Sequence, residues 1–269
     1  MEKIKGLVSV ITPVYNAENV IERTIKSVQD QTYQNWEMIL VDDCAKDNSA
    51  NLIKQKALDD PRIKYYKLDQ NSGAAVARNR AIQESNGQYI AFLDADDYWI
   101  PDKLQREVYW MKAMDGAFVY AATQMIDEND NKLGDYTQVP EWTNYKFLLK
   151  RTVIATSTVL LDMEKIGDFS MPLRRSGQDY ATWLMLLHRV EKAYGINEPL
   201  TLYRISSKSL SSNKIKSIRQ VYEIQTRDEG IPMLFAIYNT FCFCFYAFCK
   251  HYGHIFKLNT SVKKIDKSC

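Results

Sequence analysis

The sequence of 269 residues predicts an α/β fold with a parallel sheet at its centre. Short hydrophobic runs alternate with amphipathic segments through the first hundred residues, and little chain is left over for linkers. This alternation is typical of strands that are joined by helical crossovers. The hydrophobic fraction of 46% is large enough for a proper core.

Four strand candidates occur in this part of the chain, at residues 7–11, 37–41, 63–67 and 89–93. Polar segments follow three of them: T-P-V-Y-N at 12–16, D-D at 42–43 and D-A-D-D at 94–97. Right-handed crossovers bring the carboxyl ends of parallel strands to one edge of the sheet, where ligands bind in such folds. We therefore expect the three polar segments to lie together.

The helices between these strands have recognisable starts. Asn19 with Glu22 three residues later resembles a capping box and predicts the start of the first helix. A second helix begins near Ser49, and Asn71 or Ser72 is expected to cap the third. Each predicted helix then lies between two strands of the sheet.

The second half of the sequence is less regular. Residues 117–170 contain hydrophobic strands, a hairpin signal E-N-D-N at 128–131 and a short helix at 145–150. A later helix has Gly177 just ahead of it and Asp179 in its first turn. The helix dipole at that position favours an ionised carboxylate.

The most informative stretch is YIAFLDADDYWIPDKL at 89–104. Asp94 and Asp96 are two residues apart, so both side chains point the same way in extended chain. A pair of hard oxygen ligands suits Mg²⁺ or Mn²⁺, and a diphosphate is the natural partner of such an ion. A solvated acidic turn would leave the same pattern, so this stretch alone does not decide between the two.

Several motifs together resemble the inverting family 2 glycosyltransferases with the GT-A fold. They are VSVITPVYNA at 8–17, ILVDD at 39–43, GAAVARNRA at 73–81 and FLDADDYWIPDKL at 92–104. The stretches QDYATWLMLLHR and LYRISSKSLSSNK, at 178–189 and 202–214, resemble the bacterial teichuronic acid, O-antigen and capsule enzymes. The resemblance implies a GT-A fold, a Rossmann-like mixed sheet that is flanked by helices and followed by a C-terminal helical tail.

The resemblance also implies a nucleotide site. Pro13 and Tyr15 would supply a backbone ledge and an aromatic face for the base, although Tyr15 could equally be a core residue. Asp42 or Asp43 would accept the N3–H of uracil, which favours a uridine nucleotide, or would instead cap the next helix. Arg78 would contact the nucleotide or pair with a neighbouring surface carboxylate.

The family's D-x-D motif corresponds to Asp94 and Asp96. Asp96 would ligate Mn²⁺ or Mg²⁺, and Asp94 would hold the ribose or position the metal ion. Asp97 is expected to tune the local field and not to bind metal. A cation on the phosphates stabilises the departing nucleoside diphosphate.

The resemblance assigns the catalytic base to Asp179. This sequence departs from the family by having Gln178 where the family has Glu, which puts the role of that Glu in doubt. An ordinary acidic residue at a helix start is the alternative. Arg204 would bind the diphosphate and Lys208 would assist, in a serine-rich loop that folds over the donor.

The charge and the cysteine content indicate which class of partner and which cellular compartment to expect. The formal net charge of +2 gives no argument for nucleic acid as a partner. Five cysteines without a C-x-x-C pair fit a reducing compartment, and the opening MEKIKGLVSV has too short an apolar run for a signal peptide. We therefore expect a cytoplasmic enzyme on the inner face of the cell membrane.

The C-terminal part has a different character. Residues 231–249 form a stretch of nineteen residues without a charge, and lysines follow it. A helix lying on the membrane surface fits better than a spanning one, because Pro232, Asn239 and many aromatic residues interrupt the stretch. Burial on the catalytic domain or in a homodimer is the alternative.

The sequence as a whole predicts a GT-A catalytic domain at 1–212 and a C-terminal segment at 213–269. Residues 1–100 would bind the nucleotide sugar, residues 101–212 would bind a glycan or lipid-linked oligosaccharide acceptor, and residues 213–269 would associate with the membrane. A nucleotidyltransferase is less suited to this sequence, because residues 12–19 contain no lysine or glycine. A non-catalytic subunit that binds sugar nucleotides is the other alternative.

Overall fold

The computed structural model describes residues 3–205 and 214–256, without the side chains of residues 214 and 250–256, and its centre is a mixed β-sheet. The strands in these ranges are β1 Ile4–Val14, β2 Trp36–Asp42, β3 Ile63–Lys67, β4 Gly87–Phe92, β5 Tyr98–Trp99, β6 Phe118–Ile126, β7 Trp142–Thr143, β8 Val159–Asp162 and β9 Ala193–Arg204. The four strands predicted in the first hundred residues are confirmed as β1 to β4.

The order of the strands creates a crevice at one edge. They lie in the order β3-β2-β1-β4-β8-β6-β9-β5, and β7 pairs with β9. β1 to β4 are parallel to one another, whereas β8 runs antiparallel to β4. The chain moves outward from β1 through β2 and β3 and then returns to the other side of β1 with β4. Ligands bind at such a switch point, beyond the carboxyl ends of the strands.

Helices cover both faces of the sheet. Their bounds are α1 Ile21–Gln29, α2 Ser49–Asp59, α3 Ala74–Gln83, α4 Lys103–Ala113, α5 Tyr145–Leu148, α6 Met163–Ile166, α7 Gln178–Leu186, α8 Lys214–Glu223 and α9 Met233–Phe256. Alternate residues of β2 enter the two hydrophobic clusters on opposite faces, Met38 and Leu40 on one and Ile39 and Val41 on the other. Parallel strands that are buried on both faces are continuously hydrophobic for this reason.

Two predicted helix caps are wrong. The residue before α1 is Val20, and no side chain caps this helix, so Asn19 does not have the expected role. The residue before α3 is Gly73, with φ of +92°, and neither Asn71 nor Ser72 caps the helix through its side chain. A carboxylate from another strand end binds the backbone there instead, and local spacing does not reveal such a partner.

The C-terminal segment packs on the catalytic part of the chain. Val221 of α8 and Ile224 of the π-helical turn Ile224–Asp228 are buried in the same cluster as Tyr180 and Trp183 of α7. The side-chain amide of Gln225 donates to the hydroxyl of Tyr180 over 3.2 Å. The domain boundary between residues 212 and 213 stays a prediction. α8 follows this boundary, but its Val221 packs in the same hydrophobic cluster as residues that precede it.

One side of α9 packs on α8 and the π-helical turn, and the other side is exposed. Ala236 and Asn239 are buried, and Asn239 donates to Gln225 over 3.0 Å. Large apolar side chains lie exposed on the rest of the helix: Met233, Leu234, Phe235, Ile237, Tyr238, Phe241, Phe245, Tyr246 and Phe248. None of the helices in the described ranges combines enough length and hydrophobicity to cross a bilayer.

Candidate functional site

A cleft of about 320 Å³ opens at the carboxyl edge of the sheet, where β1 and β4 end. Six of the nine residues that the sequence nominates line it: Pro13, Tyr15, Asp43, Arg78, Asp94 and Asp96. The expected meeting of the three polar segments is therefore observed. The other three nominated residues, Asp42, Asp179 and Arg204, lie outside the lining of this cleft.

The loop after β1 forms one wall of the cleft. Tyr15 is 49% exposed and is not a core residue, so its ring is available to a ligand. Asn16 holds the loop in shape: it has a φ of +50°, and its side-chain oxygen accepts from the backbone N–H of Lys46 over 2.9 Å. An aromatic side chain beside a backbone ledge suits a planar base.

The two aspartates after β2 have different environments. Asp42 is fully buried, and its carboxylate accepts from the backbone N–H of Ala45 over 2.7 Å and from the hydroxyl of Tyr65 over 2.8 Å. Asp42 is thus part of the interior, and a direct contact with a ligand is not available to it. Asp43, in contrast, lines the cleft, so a ligand there could reach it.

Asp43 also binds the entrance of α3. Its two carboxylate oxygens accept from the backbone N–H groups of Ser72 over 2.6 Å and of Gly73 over 2.8 Å. The alternative in the sequence analysis was a cap for the next helix, α2, and no side chain caps that helix, so Asp43 holds the entrance of α3 instead. Each carboxylate oxygen has two lone pairs, so the group retains capacity for a further donor from the cleft.

Arg78, which is buried, and Asp94, which is half-buried, form an ion pair on the floor of the cleft. The Nη2 of Arg78 donates to Asp94 Oδ1 over 2.5 Å, so its partner is the first aspartate of the D-x-D motif and not a surface carboxylate. Arg78 is 5% exposed, and its Nε and Nη1 atoms have no hydrogen-bond partner among the described residues. Buried donors without partners are costly, and an anionic ligand in the cleft would satisfy them.

Asp96 is solvent-accessible at the mouth of the cleft. The surrounding protein raises the pKa of Asp96, and the negative charge of Asp94 raises it further. In the described part of the chain, no three His, Cys, Asp or Glu side chains come together as a ready metal site. Mg²⁺ and Mn²⁺ need only one or two carboxylates when substrate phosphates and water complete the shell, so Asp94 and Asp96 fit such an ion.

Asp97 is buried behind the cleft, and Ser157 binds it. The hydroxyl of Ser157 donates to Asp97 Oδ2 over 2.6 Å and accepts from the backbone N–H of Asp94 over 3.1 Å. Burial raises the pKa of Asp97 well above its usual range, and the charges of Asp94 and Asp96 add to the effect. Ser157 thus ties Asp97 to Asp94 within the acidic loop, residues 94–97, and the effect of Asp97 on the local field stays a prediction.

Asp179 is connected to the same loop through a neighbouring hydroxyl. Thr156 and Ser157 are consecutive residues of a 3₁₀ turn, Thr156–Thr158, and Thr156 donates to Asp179 Oδ2 over 3.3 Å. One turn of chain thus contacts Asp179 through one residue and the acidic loop through the next. Asp179 is in the first turn of α7, as predicted.

Tyr203 provides a second indication that these carboxylates are close together. Burial raises the pKa of Tyr203. Four negative charges raise it further, those of Asp97, Asp94, Asp96 and Asp179. Such electrostatic effects decline with distance, so the phenol lies near both the acidic loop and Asp179.

Arg204 is beside the cleft, but other protein groups bind its guanidinium. Its Nε donates to the backbone oxygen of Asp96 over 3.1 Å, and its Nη2 donates to Asp130 Oδ1 over 2.6 Å. Its Nη1 donates to the backbone oxygens of Asp127 and Glu128. Arg204 thus fastens the predicted hairpin to the acidic loop, and a diphosphate would have to displace these bonds. Lys208 lies outside the described residues.

Comparison with known proteins identifies the family. The model of Glycosyl transferase family 2 matches residues 9–170, more than half of the chain. The chain belongs to this family. It is 42% identical over 247 residues to "Putative teichuronic acid biosynthesis glycosyltransferase TuaG" of Bacillus subtilis, which covers 92% of this chain and 97% of that protein.

A second family 2 relative comes from Escherichia coli. The chain is 37% identical over 219 residues to "UDP-Glc:alpha-D-GlcNAc-diphosphoundecaprenol beta-1,3-glucosyltransferase WfgD", with 81% of this chain and 85% of that protein covered. This chain is thus a glycosyltransferase, and the predicted enzyme class is confirmed.

Solved structures share the fold. The complex of S. aureus TarS 1-349 with UDP-GlcNAc has a TM-score of 0.68 at 17% identity and covers 95% of this chain and 76% of that one. The complex of mannosyltransferase PcManGT from Pyrobaculum calidifontis with GDP-Man and Mn²⁺ has a TM-score of 0.62 at 17% identity, covering 87% and 69%. The predicted GT-A fold is confirmed.

The sequence analysis did not nominate three residues that lie close to the acidic side chains of the site. They are Thr156, Ser157 and Tyr203. Thr156 and Ser157 lie in the run A-T-S-T-V, which resembles the start of a strand, and Tyr203 precedes the nominated Arg204. Three hydroxyls in succession before a buried strand are the signal that would have drawn attention to the turn.

Proposed function

We propose that this glycosyltransferase moves a sugar from a UDP-sugar to a lipid-linked glycan acceptor, with inversion, in the synthesis of a bacterial surface polysaccharide. The names of two relatives support the acceptor and the pathway class, since one refers to teichuronic acid and the other to a diphosphoundecaprenol-linked sugar. The donor class is supported by the UDP-Glc in the name of the second.

The cleft at the carboxyl edge would bind the nucleotide. The exposed ring of Tyr15 would stack on the uracil, and the carboxylate of Asp43 would accept its N3–H. A carboxylate accepts from that group but has no proton to give to the unprotonated ring nitrogen of cytosine, which favours uridine. The unpartnered Nε and Nη1 of Arg78 would donate to the diphosphate.

A divalent cation, Mn²⁺ or Mg²⁺, is part of the proposal. Asp96 would hold it directly, and Asp94, which Arg78 keeps in place, would hold or orient it. When bound, such an ion would neutralise the charge that develops on the departing diphosphate. The ionised carboxylates of the loop are suited to holding the ion, because hard cations prefer oxygen ligands.

Asp179 would take the proton from the acceptor hydroxyl. The observation that carries this assignment is a pair of hydrogen bonds from adjacent residues. The hydroxyl of Thr156 donates to Asp179, and the hydroxyl of Ser157 donates to Asp97 in the acidic loop. The first-turn position of Asp179 favours its ionised form, which is the form a base requires. One base opposite one leaving group gives a single in-line displacement and therefore inversion.

The direct test of this assignment is the Asp179→Asn variant. Transfer is expected to fall by roughly 10²- to 10⁴-fold, the usual contribution of a general base, while calorimetric affinity for UDP stays unchanged. Asp168→Asn is the matched control, since Asp168 is exposed and loses the same charge. Unchanged transfer by Asp179→Asn would remove this residue from the mechanism.

The donor can be identified without the acceptor. Slow hydrolysis of UDP-, GDP- and TDP-sugars by the purified chain would be compared with Mn²⁺, with Mg²⁺ and with EDTA. We expect release of UDP in the presence of either ion and little release with EDTA. Hydrolysis of only GDP- or TDP-sugars would contradict a UDP-sugar as the donor.

The exposed side of α9 would rest on the membrane surface. Two cations lie over its aromatic rings, Lys150 at 5.1 Å from the ring centre of Tyr238 and Arg151 at 4.2 Å from that of Tyr246. An apolar helix face that is bordered by cations suits the interface of an anionic bilayer. This contact would bring the active site to a lipid-linked acceptor.

Membrane association can be tested without disturbing the buried side of α9. Leu234→Glu with Phe241→Glu changes two exposed side chains and leaves Ala236 and Asn239 in place. The wild-type chain is expected to float with vesicles that contain anionic phosphatidylglycerol, and the double variant is not. Equal flotation of the two proteins, or none by wild type, would refute the contact. A homodimer that buries α9 would instead elute as a dimer from a sizing column.

A further inference from the structure

A second cavity lies between the loop that leads into α7 and the helix α8. Its volume is about 490 Å³, larger than that of the nucleotide cleft. Cations outnumber anions four to one among its lining residues: Arg174, Arg175, Lys216 and Arg219, against Glu223. A cavity with this charge excess is suited to an anionic ligand.

Two of these arginines retain donors that no group among the described residues uses. Arg174 is paired with Asp228 through Nη1 over 2.8 Å, but its Nε is buried and has no hydrogen-bond partner within the described ranges. Arg175 is exposed, and no contact pairs it with a carboxylate in the part of the chain that the structure describes. Arg219, in contrast, donates to Glu223 over 2.8 Å.

The cavity is attached to the catalytic base by a short, tightly held piece of chain. Ser176, which lines the cavity, precedes Asp179 by three residues, a span of at most about 10 Å. Gly177 lies between them with φ of +73°, and an added Cβ would approach Ile224 Cδ1 to 2.9 Å. Ile224 of the π-helical turn thus packs so closely on Gly177 that a side chain has no room there, and the loop lies against this turn at the start of α7.

We infer that this cavity binds the diphosphate of the acceptor, so that the acceptor sugar lies between the diphosphate and Asp179. The inference rests on the proposed function and names the acceptor class, a glycosyl diphosphate lipid. A neutral glycan would gain little from the donors of Arg174 and Arg175, whereas a diphosphate diester carries two negative charges that guanidinium groups bind through charge-assisted hydrogen bonds. The donor diphosphate has its own guanidinium in Arg78, so the two clefts divide the two substrates.

The experiment compares two synthetic acceptors with the full-length chain. Both carry GlcNAc on the same short lipid, one through a diphosphate and the other through a neutral ether. For Arg175→Gln, KM for the diphosphate acceptor is expected to rise about tenfold, the loss of one charge-assisted hydrogen bond. KM for the neutral acceptor and background hydrolysis of the donor should stay the same.

Two further variants separate recognition from structure. Arg175→Lys retains the charge and is expected to restore most of the affinity for the diphosphate acceptor. Lys112→Gln removes an exposed cation from α4 and is expected to change neither KM. An equal rise of KM for both acceptors, or no rise for either, would overturn the inference.

A binding measurement without donor or metal distinguishes the failure of this inference from that of the proposed function. In EDTA, the diphosphate acceptor should bind wild type and Asp179→Asn equally and Arg175→Gln about tenfold more weakly. Equal binding by Arg175→Gln would overturn the cavity assignment alone. Binding as expected, with no transfer to either acceptor by wild type, would overturn the proposed function and leave only an anion site.

Discussion

The two ends of the same parallel sheet handle buried charge in opposite ways. At the amino end, Glu37 accepts from the hydroxyl of Ser9 over 2.6 Å, from the backbone N–H of Asn86 over 2.7 Å and from the ammonium of Lys64 over 2.6 Å. Burial raises the pKa of Glu37, but these partners outweigh it and hold the pKa below its usual value. The charge at this end is fully satisfied by the protein.

At the carboxyl end, the charges are left partly unsatisfied. Burial and neighbouring aspartates raise the pKa of Asp96 and of Asp97, and two nitrogens of Arg78 have no partner within the described residues. A protein tolerates such an arrangement where a ligand completes it. The comparison teaches that completed charge networks need no ligand, and we expect the incomplete one that faces the cleft to be completed by the substrate.

Arg78→Met should separate function from stability most strongly. Loss of the guanidinium donors is expected to raise the KM for the nucleotide sugar by about 100-fold, since hydrogen bonds to charged groups contribute about 1.5–3 kcal/mol each. The thermal midpoint should change little, because two unpartnered buried donors are removed at the same time. A large fall in the midpoint with an unchanged KM would reverse the comparison.

Glu37→Gln is the complementary change at the amino end. It weakens the contacts to Ser9, Asn86 and Lys64, and we expect a loss of about 2 kcal/mol in the free energy of unfolding. Steady-state kcat/KM of the folded protein should be unchanged, since Glu37 is far along β2 from the cleft. Denaturant titration and transfer kinetics on one preparation provide both numbers, and reduced kcat/KM would contradict the division between the two ends.

Ser157→Ala should have a smaller effect, and on the catalytic side. It removes the hydroxyl that donates to Asp97 and accepts from the backbone of Asp94. A fall of about tenfold in kcat is expected from the loosened acidic loop, with little change in KM for the acceptor. Ser170→Ala, at an exposed position that lines neither cavity, is the control for the same change. Equal kcat for wild type and Ser157→Ala would show that the turn does not position the loop.

The pH dependence of stability gives the smallest and most specific effect. The pKa of Glu37 is lower in the folded chain than its ordinary value of 4.5, so its contribution is complete above that pH and is lost as the pH falls through the folded pKa. The stability difference between wild type and Glu37→Gln should therefore shrink on acidification below about pH 4.5. Thermal midpoints at pH 7, 5 and 4 would show it, and a constant difference would contradict the assignment.

Much of the carboxyl end was predictable because it depends on strand order and local sequence. Hydrophobic runs set β1 to β4, and parallel pairing then brought Tyr15, Asp43, Asp94 and Asp96 to one cleft. Asp179 was placed at the start of its helix by the glycine before it and the apolar face behind it.

The rest depends on contacts between distant parts of the chain. Asp43, and not a residue next to α3, binds the backbone at its entrance, and Ser157 reaches the acidic loop across 60 positions of sequence. The guanidinium of Arg204 binds the hairpin near Asp130, which no local pattern indicates. Such partners are determined by tertiary packing and not by the spacing of residue types.

Calorimetric titration with UDP tests the central claim most directly, using wild type, Asp96→Ala and the exposed control Asp69→Ala. Wild type and Asp69→Ala are expected to bind UDP more tightly with Mn²⁺ than with EDTA, by roughly 10-fold or more, because in the proposed site Asp96 would hold the ion and the ion would neutralise the diphosphate. Asp96→Ala should bind with the EDTA affinity under both conditions. An undiminished Mn²⁺ effect in Asp96→Ala would contradict the account.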